Sequence, residues 1–223
     1  MNTDTLLQSE GASSSLLYEL VAEETKRVST GVNEPMVLDL GCGQGEFLKL
    51  LSSKGFSNLQ GSDGYFYNGI DQKVFRFTQS DLNQTLPFAD ASFSTVTAIE
   101  VIEHLENPRH FLREITRILK PGGSAIVSTP HNESITSMLS LFTRGYFSSF
   151  SDRCYPAHIT PVLKVDLTRI MKEKKLIDLE VIYSNRGRIP KTKIDWQTIL
   201  PFLKGRLFSD NFIMIGKKPD EKK

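Results

Sequence analysis

Apolar residues in this chain fall into short runs that alternate with longer amphipathic stretches. The short runs predict strands, which lie at residues 37–40, 59–63, 74–78, 95–99, 125–128, 179–184 and 211–216. The longer stretches carry apolar residues three and four positions apart and predict helices at 16–28, from 47 onward, at 107–119 and at 166–176. Strands that alternate with helices are typical of a parallel sheet covered on both faces, so we expect a doubly wound α/β domain.

Two segments show neither pattern. Residues 64–70 are short and aromatic, and we do not expect a full helix there. Residues 132–160 mix Ser, Phe, Tyr and Arg without a clear period. Because this longer segment follows the fifth strand, where a cleft at the carboxyl ends of the strands would open, we expect it to be a substrate lid.

The first strand runs into a loop that contains three glycines. Residues 37–47 read Val-Leu-Asp-Leu-Gly-Cys-Gly-Gln-Gly-Glu-Phe, with Asp39 near the end of the strand. Glycines at this spacing allow a tight turn and let a ligand approach the backbone closely. The G-x-G-x-G spacing differs from the G-x-G-x-x-G of dinucleotide sites. The acid disfavours a phosphate beside it and favours a cationic partner such as an α-amino group.

Further acids follow the next strands. Asp63 ends the second strand, and an acid about 20 residues beyond a glycine loop is placed to bind ribose hydroxyls. Asp81 follows the third strand. Because parallel strands end at one edge of a sheet, we expect Asp39, Asp63 and Asp81 to share one cleft.

Later segments extend this pattern into a family resemblance. "LPFADASF" begins at residue 86, "EVIEHL" at 100 and "LKPGG" at 119. With them, residues 35–131 resemble the small-molecule class I S-adenosylmethionine-dependent methyltransferases, including the ubiquinone-pathway O-methyltransferases. The resemblance implies a Rossmann-like sheet of seven strands with an antiparallel closing strand, and S-adenosylmethionine as cofactor. The residues that it implies for cofactor binding are Asp39, Gly41, Cys42, Gly43, Gly45, Asp63, Asp81, Leu82 and Ile99.

A group of acids and histidines follows the fourth strand. Glu100, Glu103 and His104 stand close together in the sequence, and His158 lies near the end of the predicted lid. Such side chains can hold a divalent metal ion, and the motif resembles that of metal-dependent 2′-O-methyltransferases that cap small RNAs. Three interpretations stay open: a metal site of all four residues, His104 or His158 as the catalytic base, or a structural role.

Composition sets the broader limits. A length of 223 residues suits one domain, 1–223, made of a cofactor-binding core (35–131), the lid (132–160) and a segment that completes the sheet (161–218). Two cysteines cannot form a disulfide framework, which favours the cytoplasm. No segment approaches the ~20 apolar residues of a membrane span. From residue 164 onward, fifteen Lys and Arg stand against eight Asp and Glu, which indicates either an anionic partner or a solvated face.

Residues 194–208 concentrate apolar side chains around Trp196, the only tryptophan, and include Lys204 and Arg206. They either pack on the last strands or stay exposed beside the lid. An exposed segment of this kind could accept a lipid-linked substrate or a second subunit, or make peripheral contact with an anionic membrane.

We therefore expect a methyltransferase that O-methylates a small-molecule, sugar or lipid-linked acceptor. Metal-dependent 2′-O-methylation of an RNA terminus is an alternative that the metal-like cluster and the basic last third favour. The absence of a recognisable RNA-binding module disfavours a nucleic-acid partner. A cofactor-binding protein that has lost catalysis is the second alternative, and the intact acids and glycines argue against it.

Overall fold

The computed structural model describes residues 13–190, 192 and 194–220. Its strands are β1 (Val37–Leu40), β2 (Leu59–Asp63), β3 (Arg76–Gln79), β4 (Phe93–Ile99), β5 (Leu119–Pro130), β6 (Ile177–Tyr183) and β7 (Asn211–Lys217). Its α-helices are α1 (Ser15–Val28), α2 (Glu46–Ser53), α3 (Pro108–Ile118), α4 (Ile135–Arg144), α5 (Lys164–Glu173) and α6 (Trp196–Ile199). Short 3₁₀ turns occupy 102–104, 148–150 and 206–208.

The strands form one seven-stranded sheet in the order β3-β2-β1-β4-β5-β7-β6. Strands β1 to β5 pair in parallel, whereas β7 is antiparallel to both of its neighbours. The predicted Rossmann-like sheet with an antiparallel closing strand is therefore confirmed. Because the chain moves outward from β1 to β3 and then returns to place β4 on the other side of β1, a crevice opens beyond the carboxyl ends of these strands.

Helices cover both faces of the sheet, and each face has its own core. On one face, α3 and α5 contribute apolar residues such as Phe111 and Met171. On the other face, α1 and α2 contribute residues such as Val21 and Phe47. Every residue of β4 is buried because this central strand is covered on both sides.

Most element boundaries lie within three residues of the predicted ones, but β5 begins at Leu119, six residues before the predicted start. The predicted helix over 166–176 is α5, which ends at Glu173. Lys175 takes a left-handed conformation with φ of 63° and turns the chain, so that Leu176 is buried after the helix rather than within it. The 64–70 segment contains no helix, as predicted.

Residues 132–160 hold more regular structure than their sequence predicted. Ser134 caps α4 by accepting a hydrogen bond from the N–H of Ser137, and Gly145 ends the helix in a left-handed conformation. Within the described ranges, no helix has the length and apolar character needed to cross a bilayer.

Candidate active site

A cleft of ≈ 1050 Å³ lies at the carboxyl ends of the central strands. Its walls come from α1, the loops after β1, β2, β3 and β4, and residues 155–159. A space of this size suits a nucleoside-sized ligand together with a small second molecule. The predicted cofactor residues Asp39, Gly41, Asp63, Asp81, Leu82 and Ile99 all line this cleft.

Asp39 is a buried carboxylate at the floor of the cleft. Parallel pairing places it beside Thr97 of β4, whose hydroxyl donates a hydrogen bond of 2.7 Å to Oδ1. Burial raises the pKa of Asp39 to about 7, and the nearby Asp63 adds to the effect. A buried carboxylate of this kind favours a cationic ligand, because a positive charge beside it stabilises the ionised form.

The loop after β1 needs glycine at two positions. Gly41 and Gly45 have φ angles of +74° and +80°, which other residues rarely adopt. A Cβ at Gly41 would collide with the side chain of Val101, and a Cβ at Gly45 would enter the ring of Phe75. Gly41 also lines the cleft, whereas Gly45 lies behind it against Phe75.

Asp63 is held in place by backbone N–H groups. Gly43 donates to Oδ2 at 2.9 Å, and Tyr65 donates to Oδ1 at 3.2 Å. These bonds orient the carboxylate at the rim of the cleft and leave lone pairs on both oxygens for a ligand. Gly43 thus contacts Asp63 and does not itself line the cleft.

Cys42 points away from the cleft. Its side chain is buried in the core shared with α1 and α2, against Gly61. Burial raises the pKa of the Cys42 thiol well above its usual range. The thiol is therefore a packing group rather than a nucleophile.

Glu100 stands in a strained conformation where β4 ends. Its φ of 53° is left-handed, which is uncommon for a residue with a Cβ and typical of functional sites. The N–H of Glu100 donates to the hydroxyl of Ser128 on β5 at 3.1 Å, and its side chain lines the cleft.

Three of the four predicted metal ligands come together. Glu103, His104 and His158 each offer a ligand atom, and these atoms lie within 4.8 Å of one another. Glu100 is outside this group. Oε2 of Glu103 accepts a 3.0 Å hydrogen bond from Thr129, while Oε1 has no hydrogen-bond partner in the described part of the chain. Burial raises the pKa of Glu103 to about 8.

The two histidines are oriented in the same way. Nδ1 of His104 lies 2.8 Å from the carbonyl oxygen of Ala157, and Nδ1 of His158 lies 2.7 Å from that of Ser149. In both rings Nδ1 is then the donor, so Nε2 carries the lone pair of the neutral ring. The rings meet edge to face with centroids 4.7 Å apart. Burial lowers the pKa of His104, and the proximity of His158 adds to this.

Sequence reasoning did not identify several residues that shape the site. Tyr18 of α1 lines the cleft, and its hydroxyl accepts a 2.9 Å hydrogen bond from the N–H of Ser13. Thr97 and Thr129 orient Asp39 and Glu103 from within buried strands. The available signal was the presence of hydroxyl residues within predicted buried strands, since a buried hydroxyl needs a hydrogen-bond partner.

The charge of the cleft is strongly asymmetric. Among the described residues that line it, none is Lys or Arg. The acids that line it are Asp39, Asp63, Asp81, Glu100, Glu103 and Glu106. This lining attracts a cationic ligand and repels phosphate.

Known proteins resemble this chain in sequence. The ubiquinone biosynthesis O-methyltransferase of Rickettsia conorii is 30% identical over 148 residues, which cover 61% of this chain and 50% of that protein. The mitochondrial enzyme of the same description from Dictyostelium discoideum is 32% identical over 110 residues, or 42% of this chain and 34% of that protein. The chain thus matches half or less of the length of these relatives.

A structural comparison and a family model point to the same class of proteins as these relatives. A SAM-dependent methyltransferase from Archaeoglobus fulgidus superposes with a TM-score of 0.64 and 21% identity, over 97% of this chain and 100% of that structure. The family model for a methyltransferase domain matches residues 15–179. The glycine loop and the acids at the strand ends lie within that range. The chain therefore belongs to the methyltransferase domain family and has the fold of the S-adenosylmethionine-dependent methyltransferases.

Proposed function

We propose that this chain transfers the methyl group of S-adenosylmethionine to a hydroxyl oxygen of a small-molecule acceptor. The relatives named ubiquinone biosynthesis O-methyltransferases support oxygen as the target atom. The observation that carries the proposal is the pair of histidines in the cleft. With both Nδ1 atoms engaged by carbonyls, the Nε2 lone pairs of His104 and His158 are available to take a proton or to bind a metal ion.

The cleft fits the cofactor. S-adenosylmethionine carries a positive sulfonium and an ammonium group, and the cleft offers a buried Asp39 and no described Lys or Arg. We assign the ammonium to Asp39, with the glycine loop beside it, and the ribose hydroxyls to Asp63. We assign the adenine to the remaining predicted residues, which are Asp81, Leu82 and Ile99.

S-adenosylmethionine supplies a methyl group whose leaving sulfur becomes neutral on transfer. The chain positions the acceptor in line with this group, which accounts for most of the rate. The acceptor oxygen forms a bond to the methyl carbon as the carbon–sulfur bond breaks, and the electron pair of that bond stays on sulfur. The hydroxyl proton passes to Nε2 of His104 or His158, a step worth roughly 10²–10⁴-fold.

The same group of side chains also fits a divalent metal ion. We propose Glu103, His104 and His158 as ligands, since an unpaired carboxylate oxygen and two imidazole lone pairs meet there. The sequence predicted Glu100 as a fourth ligand. Glu100 lines the same cleft but lies outside the group of three, so it would join only after a side-chain rearrangement. A bound ion would lower the pKa of an acceptor hydroxyl.

Two measurements separate these roles. Methyl transfer to a panel of phenols, catechols and sugars is followed with the chelated protein, with and without added magnesium, manganese or zinc. Activity and a higher melting temperature that return together with metal support the metal site. Activity that is unchanged by chelation contradicts it and leaves a histidine as the base.

The variant His104→Gln should then lower kcat by roughly 10²–10⁴-fold. His110→Gln is the matched control, because His110 lies on α3 and does not line the cleft. Full activity in both His104→Gln and His158→Gln would contradict the proposed chemistry.

Three further assignments complete the proposal. We assign the acceptor side of the cleft to residues 132–160, because Tyr155 and Ile159 of this segment line it. An RNA terminus is not favoured, because its phosphates would meet carboxylates without a described Lys or Arg. We place the protein in the cytoplasm, which its free thiols, Cys42 and Cys154, support.

A further inference from the structure

Helix α4 turns its apolar side chains toward solvent. A surface helix normally buries its apolar stripe and exposes its polar residues. In α4 the residues buried against the protein are Ser137 and Ser140. The exposed residues recur every three or four positions and include Phe142, which is 91% exposed. They are Ile135, Met138, Leu139 and Phe142.

Hydrogen bonds hold the helix in this orientation. The hydroxyl of Ser137 accepts a 3.1 Å bond from the N–H of Ser148, in the 3₁₀ turn that follows α4. Ser134 caps the helix through the N–H of Ser137. Of the two inward serines, Ser137 makes these contacts, whereas the buried hydroxyl of Ser140 has no hydrogen-bond partner in the described part of the chain. The outward apolar stripe therefore accompanies the side of the helix that Ser137 fixes against the 148–150 turn.

A second apolar patch adjoins the first. Trp196 connects the two segments by donating from Nε1 to the hydroxyl of Thr136 on α4 at 3.4 Å. The 206–208 turn also packs against α4. Its segment exposes Ile199, Leu200, Phe202 and Leu207. We call these four residues, together with the four exposed residues of α4, the apolar face. Exposed apolar residues that gather on two segments in contact with each other, rather than scatter singly, mark an interaction site.

Positive charges accompany the apolar face. Arg144 ends α4, Lys204 lies between Phe202 and Leu207, and Arg153 lies farther along residues 132–160. All three cations are exposed, and none has an acidic partner within the described ranges of the chain. Apolar side chains with unpaired cations beside them match a lipid bilayer with anionic headgroups.

We propose that the apolar face docks on an anionic lipid bilayer. Docking would also bring the bilayer close to the cleft. Helix α4 packs against the 148–150 turn, and the carbonyl of Ser149 in this turn orients His158. Tyr155 and Ile159, exposed at the cleft mouth, follow in the same segment. The proposal concerns a surface outside the catalytic groups, so it stands or fails independently of methyl transfer.

Vesicle sedimentation tests the proposal directly. The full chain is mixed with phosphatidylcholine vesicles, with or without phosphatidylglycerol. We expect binding to the anionic vesicles and a blue shift of Trp196 fluorescence, since Trp196 contacts α4. The double variant Phe142→Ser/Phe202→Ser should weaken this binding by roughly tenfold or more. Val32→Ser is the matched control, because Val32 is an exposed apolar residue in the loop before β1.

A second double variant tests the contribution of the positive charges to vesicle binding. Arg144→Gln/Lys204→Gln should reduce binding to anionic vesicles and leave the apolar side chains intact. Unchanged affinity of every variant for S-adenosylmethionine shows that the fold and the cleft are preserved. Equal binding to neutral and anionic vesicles would overturn the charge-based assignment. Absence of vesicle binding, with self-association that Phe142→Ser weakens, would show that the apolar face joins two copies of the chain and would overturn the proposal.

Discussion

Asp39 offers the sharpest test of the cofactor assignment, because its ionisation should be coupled both to folding and to binding. Burial raises its pKa from 3.8 to about 7 in the folded protein. The folded state therefore holds this proton more tightly than the unfolded chain does. Stability should be fully present below about pH 4 and should be lost progressively as pH rises through 7.

The magnitude follows from the two pKa values. At about 1.4 kcal/mol per pKa unit, the rise from 3.8 to about 7 costs the ionised protein up to about 4 kcal/mol of unfolding free energy at pH 8. Asp39→Asn cannot ionise and keeps an oxygen for the hydroxyl of Thr97. The variant should therefore match the wild type near pH 4 and exceed it by a few kcal/mol at pH 8. Urea unfolding at the two pH values measures the difference.

Cofactor binding should lower the pKa of Asp39, whereas burial raises it. An ammonium group beside Asp39 favours the carboxylate, so near pH ~6 binding of S-adenosylmethionine to the wild type should release up to one proton. Calorimetry in buffers of different ionisation enthalpy measures this release. Asp39→Asn should release none and should bind more weakly by at least ~1–3 kcal/mol. A variant that binds with wild-type affinity, or that is less stable than the wild type at pH 8, would refute the reasoning.

Three further substitutions test other parts of the site and fold. Asp63→Ala leaves ribose hydroxyls without an acceptor and should weaken cofactor binding by at least ~1–3 kcal/mol, which calorimetry measures; unchanged affinity would contradict the ribose assignment. Gly45→Ala places a methyl group in the ring of Phe75 at a positive φ, and we expect the unfolding free energy to fall by ~1–3 kcal/mol. Arg117→Ala leaves the buried Glu114 without its ion pair and should lower the melting temperature, since Arg117 also donates to carbonyls of the loop before β4. A melting temperature equal to that of the wild type would show that this ion pair contributes little.

The sequence by itself determined the fold class, the seven-stranded sheet with its antiparallel closing strand, and the location of the glycine loop. These features depend on local patterns: an apolar run is buried wherever a sheet is covered on both faces, and a glycine at a strongly positive φ is needed wherever the chain turns as it does at Gly41. Acids after successive parallel strands must meet at one edge. The cleft placement of Asp39, Asp63 and Asp81 follows from this geometry.

Only the tertiary structure decided which members of each motif act together. Glu100 and Glu103 are equivalent acids in the sequence, yet the backbone at the end of β4 sends Glu103 into the core beside His104 and His158 and leaves Glu100 outside that group. The pairing of the two histidines depends on carbonyls of residues 149 and 157, which no local pattern indicates.

The orientation of α4 also could not be predicted from the sequence. Hydrophobic spacing identifies an apolar stripe on a helix but does not state which side the rest of the protein covers. In α4 the contact of Ser137 with the N–H of Ser148 lies on the inward side, which also carries Ser140, and the apolar stripe remains at the surface. Burial depends on what packs against a residue from distant parts of the chain, and for this reason tertiary contacts alone decided where the apolar face lies.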